Sequence, residues 1–165
     1  MSNMGRKQKV ERYGNAHHEL SETLGNIPRE MWLYKPSPNQ WSIHEIIIHL
    51  ADSEANGYIR IRKAIAEPGT SIMVYNQEIW ASRLGYIKQS PDELLELFKW
   101  LRASSYAILR SLPEPVWQQA ILHPERGNLT LEQLLDIYAN HVPKHINQMK
   151  RIYEQWRLRP QPQNI

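Results

Sequence analysis

Four segments of this sequence combine apolar residues at intervals of three and four with signals that start or stop a helix. The predicted helices cover about residues 9–25, 42–66, 91–113 and 130–156. Each is long enough to span a small domain, and each shows one apolar stripe. The pattern therefore predicts an all-α fold, a four-helix bundle.

The starts of three of these helices are marked by side chains that satisfy free backbone N–H groups. Ser42 and Glu45 form a capping box before the second helix, and Thr130 and Gln133 form another before the fourth. Pro91 stands at the first helical position of the third helix, where its missing N–H costs nothing. These starts fix the register of each apolar stripe.

The connection between the second and third helices, residues 67–89, is long for a compact domain. It includes one short helical pattern, about Asn76 to Arg83. A connection of this length permits a crossover between the two helices, as in some four-helix bundles. Ile27–Trp32 is also echoed by Leu112–Trp117, and this weak internal repeat predicts two helical hairpins.

Length and composition predict one domain. The 165 residues are 41% hydrophobic and include six Trp and eight Tyr, which is enough bulk for a full core. We expect a single domain at 9–157, a flexible arm at 1–8 and a disordered Pro/Gln-rich tail at 158–165. No apolar run of about 18 residues, no secretory signal and no cysteine occur, so we expect a cytoplasmic protein without a membrane span.

The net charge of +3 is concentrated near the two ends of the chain. Residues 1–12 include four basic side chains and one acidic, and residues 144–165 include five basic and one acidic. A nucleic-acid binder would be expected to collect its basic residues on one face with interleaved aromatic residues. The distribution therefore argues against nucleic acid as a partner.

Histidines supply the clearest candidate for chemistry. His141 and His145 are four residues apart in the fourth helix, so both lie on one face. A third imidazole from a neighbouring helix, His49, would complete a three-nitrogen set with an open coordination position. Pro143 lies between the pair and removes a backbone donor, at a cost of about 3 kcal/mol in an ordinary helix interior. We expect a kink there, the alternative being a fourth helix that begins later.

The combined pattern resembles the DinB/YfiT-like superfamily of four-helix bundles. The resemblance rests on Trp41-Ser42-Ile43-His44-Glu45 leading to His49-Leu50-Ala51-Asp52-Ser53-Glu54, on Leu101-Arg102, and on His141-Val142-Pro143-Lys144-His145. It spans most of the chain and implies that His49, His141 and His145 are the metal ligands. Zn or Ni would be the expected divalent ion and Fe a further candidate, because imidazole accepts each of them.

The resemblance also implies two enzymatic activities on a small-molecule substrate. In the first, the metal activates the thiol of a low-molecular-weight co-substrate for transfer to an electrophile, as the superfamily's bacillithiol transferases and mycothiol-dependent isomerases are thought to do. In the second, a hydroxide on the metal attacks a carbonyl, which is hydrolase chemistry. A third reading is a bundle that binds metal or a partner without catalysis, and a homodimer fits any of the three.

Other side chains are candidates for supporting roles. Asp52, three residues after His49, is the candidate for proton transfer or for orienting a ligand, whereas Glu45 is explained by its capping box. Arg102 is expected to form a structural ion pair, with anion binding as the alternative.

Two further sets concern the surroundings of the site. The predicted pocket wall is Tyr75, Trp80 and Tyr86, and the candidates for docking a thiol's carboxylates are Arg83 and Lys144. The remaining histidines, His17, His18, His44 and His123, are expected to be surface or loop residues.

Overall fold

The computed structural model describes residues 5–159, in which five helices and one two-stranded sheet are found. The helices are α1 (Arg6–Gly25), α2 (Ile43–Ala66), α3 (Gln77–Arg83), α4 (Pro91–Leu109) and α5 (Leu131–Leu158), and the strands are β1 (Ala120–His123) and β2 (Gly127–Thr130). The four long helices pack together, which confirms the predicted four-helix bundle. No helix in this part of the chain has the length and apolarity that crossing a membrane requires.

The predicted helix starts are confirmed at α2 and α5. The Ser42 N–H donates to Glu45 Oε2 at 2.8 Å, while the Glu45 N–H donates to Ser42 Oγ at 3.2 Å. Thr130 and Gln133 make the same reciprocal pair, at 2.9 and 3.2 Å. Both starts place the apolar stripes that follow them toward the bundle interior.

Three predicted boundaries were wrong. Helix α1 begins at Arg6, three residues before the predicted start, so residues 6–8 belong to the helix and not to a flexible arm. The Arg6 guanidinium binds Glu114 at 2.5 Å and Glu132 at 2.7 Å, which holds this end against the rest of the fold. Helix α4 ends at Leu109, four residues before the predicted end. Leu158, the first residue of the predicted tail, is instead the last residue of α5. Positions 1–4 of the arm and 160–165 of the tail lie outside the described residues.

The order of the helices around the bundle is α1, α4, α2, α5, because the packed pairs are α1 with α4, α4 with α2, α2 with α5, and α5 with α1. Helices that follow each other in sequence, α1 and α2 or α4 and α5, are therefore diagonal. The predicted pair of helical hairpins was wrong, since the echoed segments join diagonal helices and not neighbours.

The directions of the helices explain the long connection. Helices α2 and α4 both run from one buried apolar cluster, which contains Ile47 and Phe98, to a second cluster, which contains Ile61 and Leu109. They are thus parallel neighbours, and the chain must return along the bundle between them. Residues 67–90 make this return and include α3, which confirms the predicted crossover and its short helix.

The β-hairpin of β1 and β2 was not predicted. His123 pairs with Gly127 across a three-residue loop, and Gly127 has a φ of 69°, a conformation that glycine adopts without strain. The crossover runs beside this hairpin, since the Leu122 N–H donates to the Thr70 carbonyl at 2.9 Å. The hairpin therefore anchors the start of the crossover.

A buried polar layer separates the two apolar clusters. The Arg102 guanidinium of α4 donates to Glu54 Oε2 of α2 at 2.5 and 3.0 Å, and both side chains are 1% exposed. Tyr13 of α1 donates its hydroxyl to the other Glu54 oxygen, and Arg102 also donates to the Tyr138 carbonyl of α5 at 3.3 Å. The predicted structural ion pair of Arg102 is confirmed, and it connects all four long helices.

Candidate metal centre

Helices α2 and α5 bring the three predicted histidines together. His49 Nε2 lies 3.3 Å from His141 Nε2, and His145 Nε2 lies 3.1 Å from the same atom. All three nitrogens lie within 4.8 Å of one another. His49 and His141 are 92 residues apart in sequence, so packing of α2 against α5 creates the cluster.

Both histidines of the i, i+4 pair lie on one helix. Helix α5 begins at Leu131 and continues through Pro143, so the alternative of a later start does not hold. Proline has no N–H, and the Ala139 carbonyl therefore receives no helical hydrogen bond from position 143. The expected kink stays a prediction.

Burial keeps the three imidazoles uncharged. It is the first cause that lowers the pKa of each ring, to about 3 for His49, about 2 for His141 and about 4 for His145. The nearby Lys144 ammonium lowers all three further, while the Gln148 hydrogen bond partly opposes the shift at His145. Neutral imidazole is the form that binds metal, so no proton has to be removed first near neutral pH.

In the histidine cluster, one of the close nitrogen–nitrogen contacts has no proton available to make it a hydrogen bond. His145 Nδ1 lies 2.9 Å from Gln148 Oε1, an acceptor, so the proton of His145 is on Nδ1 and a lone pair is on Nε2. His141 Nε2 carries at most one proton, and it has two nitrogen neighbours, His145 Nε2 at 3.1 Å and His49 Nε2 at 3.3 Å. In the neutral cluster at least one pair of nitrogens lacks a good hydrogen bond, and a cation between them removes this repulsion.

The spacing of two of the three nitrogen pairs is close to that of ligands around a divalent ion. Zinc–nitrogen bonds of 2.0–2.1 Å in tetrahedral geometry place ligand nitrogens about 3.4 Å apart. The two observed distances, 3.1 and 3.3 Å, are close to this value. Within residues 5–159 the cluster contains three histidines and no carboxylate, which leaves coordination positions for water or substrate.

Asp52 lies one turn after His49 on α2, and its carboxylate is held by Tyr86. The Tyr86 hydroxyl donates to Asp52 Oδ2 at 2.6 Å. Burial raises the pKa of Asp52, although the Tyr86 hydrogen bond acts in the opposite direction. The Trp41 ring lies beside the rings of His49 and Tyr86, at centroid distances of 4.8 and 6.5 Å.

His44 has a role that the sequence did not indicate. It is buried, and its Nε2 lies 3.1 Å from the Tyr86 carbonyl, so it fixes the end of the crossover against α2. His123 is also buried, with Nδ1 accepting the Glu125 N–H at 3.2 Å. Both residues were expected to be surface or loop residues and are instead buried in α2 and β1, whereas His18 is exposed as expected and His17 is half-buried.

A cleft of about 360 Å³ opens beside His145. Helix α5 lines it with Lys144, Gln148 and Arg151, and Gln77 and Glu78 of α3 form part of the wall. The loop before α2 completes the wall with residues 39–41. The cleft is therefore polar, and it adjoins one of the three imidazoles.

The crossover supplies part of the wall of this cleft through Gln77 and Glu78, whereas the predicted wall residues do not line it. Tyr75 and Trp80 pack on each other with ring centroids 4.5 Å apart, and neither lines this cleft. Tyr86 is buried and positions Asp52. Of the two predicted docking cations, Lys144 lines the cleft and Arg83 does not.

Comparisons with known proteins agree with this fold. Residues 12–149 match the family model of the DinB superfamily. A Bacillus licheniformis protein is 32% identical over 136 residues, covering 82% of this chain and 77% of its own length. An Oceanobacillus iheyensis protein is 34% identical over 107 residues, covering 64% of this chain and 61% of its own length, less than two thirds. Both are named "Putative metal-dependent hydrolase".

Solved structures show the same architecture. YfiT from Bacillus subtilis, which has an unusual four-helix bundle topology, superposes with a TM-score of 0.84 at 22% identity, covering 94% of this chain and 91% of that one. A mycothiol-dependent maleylpyruvate isomerase superposes with a TM-score of 0.70 at 14% identity, covering 88% and 61%. The family match spans most of the bundle, including all three histidines, and the chain belongs to the DinB superfamily.

Proposed function

We propose that this protein is a metal-dependent enzyme that transfers a small thiol to an electrophilic substrate. The observation that carries the proposal is the cluster of three imidazoles, whose ligand nitrogens lie within 4.8 Å of one another and are uncharged near neutral pH. A divalent ion held by neutral imidazoles acts as a Lewis acid that favours the deprotonated form of a bound thiol or water. The family resemblance and the likeness to a mycothiol-dependent isomerase favour the thiol.

The protein's own groups would orient and deprotonate the nucleophile. Gln148 fixes the His145 ring so that Nε2 faces the cluster. The Tyr86 hydroxyl occupies Asp52 Oδ2, which leaves Oδ1 as the oxygen that would accept a proton. The raised pKa of Asp52 makes this carboxylate a better base than an exposed one. In the transfer a carbon–sulfur bond forms, the leaving group departs with its electron pair, and the thiol proton passes to Asp52 or solvent.

The second candidate is hydrolysis by the same centre. It is favoured by the names of the curated relatives and by Asp52, which would accept a proton from the attacking water. The two candidates differ in the nucleophile and share the three histidines. Loss of activity on metal removal is therefore expected for both candidate activities. Activity on a thiol acceptor compared with activity on an ester distinguishes them.

The test uses tag-free protein loaded with Zn and, in parallel, with Ni. Conjugation of bacillithiol or cysteine to monochlorobimane reports thiol transfer, with release of chloride, and 4-nitrophenyl acetate reports hydrolysis. We expect conjugation above the buffer rate, lost in His49→Ala and retained in His18→Ala, an exposed histidine of α1. Ester hydrolysis without thiol conjugation would contradict thiol transfer and support the hydrolase. If fully metal-loaded protein shows neither conjugation nor hydrolysis, the proposal of an enzyme fails and the protein is a non-catalytic metal-binding bundle.

A further inference from the structure

We propose that the cleft beside His145 binds a small molecule that carries carboxylate groups, and that Lys144 and Arg151 select it. The cleft opens directly beside one of the three imidazoles, so a molecule bound there would present one end to the candidate metal centre. The proposal rests on the proposed function, for which it names the chemical class of the co-substrate. The charges and spacing of the α5 side chains carry it.

One face of α5 supplies the basic groups. Lys144, Gln148 and Arg151 recur at four and three residues, which places them in a row along the helix. The Cα atoms of Lys144 and Arg151 are about 10 Å apart along the axis. A ligand with two anionic groups can therefore contact both cations while it extends from His145 toward the outer end of the cleft.

The two cations are available for a ligand. Neither Lys144 nor Arg151 forms a salt bridge with any residue in the range 5–159, whereas Arg102 and Arg6 in the same range do. Glu78 is the acidic side chain in the cleft wall, and its Oε1 lies 3.4 Å from Gln77 Nε2. With His145 neutral, Lys144 and Arg151 against Glu78 give the walls an excess of one positive charge, and a divalent ion at the adjoining cluster would add two more. Such a cleft attracts anions.

The remaining wall favours a polar ligand. Asn39, Gln40 and Gln77 provide amide groups, and Trp41 provides an aromatic surface that also packs 4.8 Å from the His49 ring. Gln148 both lines the cleft and binds His145 Nδ1 at 2.9 Å. A ligand in the cleft would therefore contact the residue that orients one of the metal-binding imidazoles.

The test is calorimetric titration of Zn-loaded, tag-free protein with succinate, a dicarboxylate without a thiol, and with the neutral succinamide. We expect succinate to bind at least tenfold more tightly than succinamide. Arg151→Gln and Lys144→Gln should each weaken succinate binding about tenfold, and added salt should reduce the difference. Lys150→Gln, an exposed cation of α5 outside the cleft wall, should change nothing.

Equal affinity for succinate and succinamide, or equal losses in Arg151→Gln and Lys150→Gln, would overturn the proposal. Conjugation of cysteine measured on the same preparations separates this result from a failure of the proposed function. Conjugation without succinate binding would remove the carboxylate site and leave thiol transfer in place. Succinate binding that depends on Arg151, without conjugation of any thiol, would support the cleft and contradict thiol transfer.

Discussion

The buried pair of Glu54 and Arg102 gives the sharpest prediction about stability. Arg102 donates twice to Glu54, once to the Tyr13 carbonyl at 3.2 Å and twice to the Tyr138 carbonyl, at 3.3 and 3.4 Å. Arg102→Met keeps most of the side-chain length but leaves the Glu54 carboxylate buried without its counter-charge. Breaking a buried pair in this way costs about 3–5 kcal/mol. This is a large share of the roughly 5–15 kcal/mol that stabilises a domain.

The double variant Arg102→Met/Glu54→Gln distinguishes the cost of an unpaired buried Glu54 carboxylate from the cost of lost packing around residue 102. The Glu54→Gln substitution removes the charge and keeps an oxygen that can accept the Tyr13 hydroxyl. We expect it to recover about 2 kcal/mol of the loss, measured as the free energy of urea unfolding of metal-free protein. The matched control, Arg157→Met, breaks a pair with Glu154 that is more than half exposed and should change little. A loss below about 1 kcal/mol in Arg102→Met, or no recovery in the double variant, would refute the reasoning.

Three further predictions concern the helices and the cluster. A Cβ at Gly57 would lie 2.6 Å from the buried Tyr138 ring, so Gly57→Ala should destabilise by about 1–2 kcal/mol despite better helix propensity. Gly14→Ala meets Tyr106 at 2.6 Å, but that ring is half-exposed and can move, so its cost should be smaller. Ser42→Ala removes the α2 cap and should cost about 1 kcal/mol in urea unfolding. Below pH 6.5 the metal-free protein should lose stability by up to about 1.4 kcal/mol per pH unit for each of the three histidines.

The sign of the pH effect follows from the lowered pKa values. As the pH falls below 6.5, the unfolded chain takes up protons that the folded imidazoles do not, so the unfolded state is favoured. The slope should lessen as the pH approaches about 4, the pKa of His145 in the folded protein, because His145 then takes up protons in the folded state as well. A variant with His49, His141 and His145 all replaced by Gln should show a smaller loss of unfolding free energy per pH unit. An unchanged slope in that variant would contradict the role of the three histidines. Equal costs for Gly57→Ala and Gly14→Ala, or no cost for Ser42→Ala, would contradict the packing and capping arguments.

The sequence predicted what depends on neighbouring residues. The pairs Ser42 with Glu45 and Thr130 with Gln133 are three residues apart, and the structure has both caps where they were predicted. The crossover was also predictable, because residues 67–89 are too many for a tight turn. These features require no knowledge of which helices are neighbours.

Features that depend on the packing order were not predictable from these patterns. The diagonal placement of α1 and α2 follows from contacts between distant helices, and the echoed segments suggested hairpins instead. Arg102 was identified as an ion-pair partner, but Glu54 was not, because 48 residues separate them. His44 was misjudged for the same reason, since its contact with the Tyr86 carbonyl spans 42 residues.

The histidine cluster lies between these two cases. The spacing of His141 and His145 placed them on one helix face, whereas His49, 92 residues from His141, was a candidate third ligand that the family resemblance strengthened. Asp52 was identified from its spacing to His49, whereas the Tyr86 hydroxyl that holds it comes from the crossover. The hydrogen bond between Tyr86 and Asp52 became visible only in the packed structure.

The most direct test of the metal centre is elemental analysis of tag-free protein, as purified and after incubation with Zn or Ni. We expect about one divalent ion per chain in the wild type and in the His18→Ala control, and almost none in His49→Ala or His141→Ala. Circular dichroism would establish that each variant remains folded. A wild type that stays metal-free after incubation, or folded His49→Ala and His141→Ala variants that keep the full complement of ion, would contradict the three-histidine site.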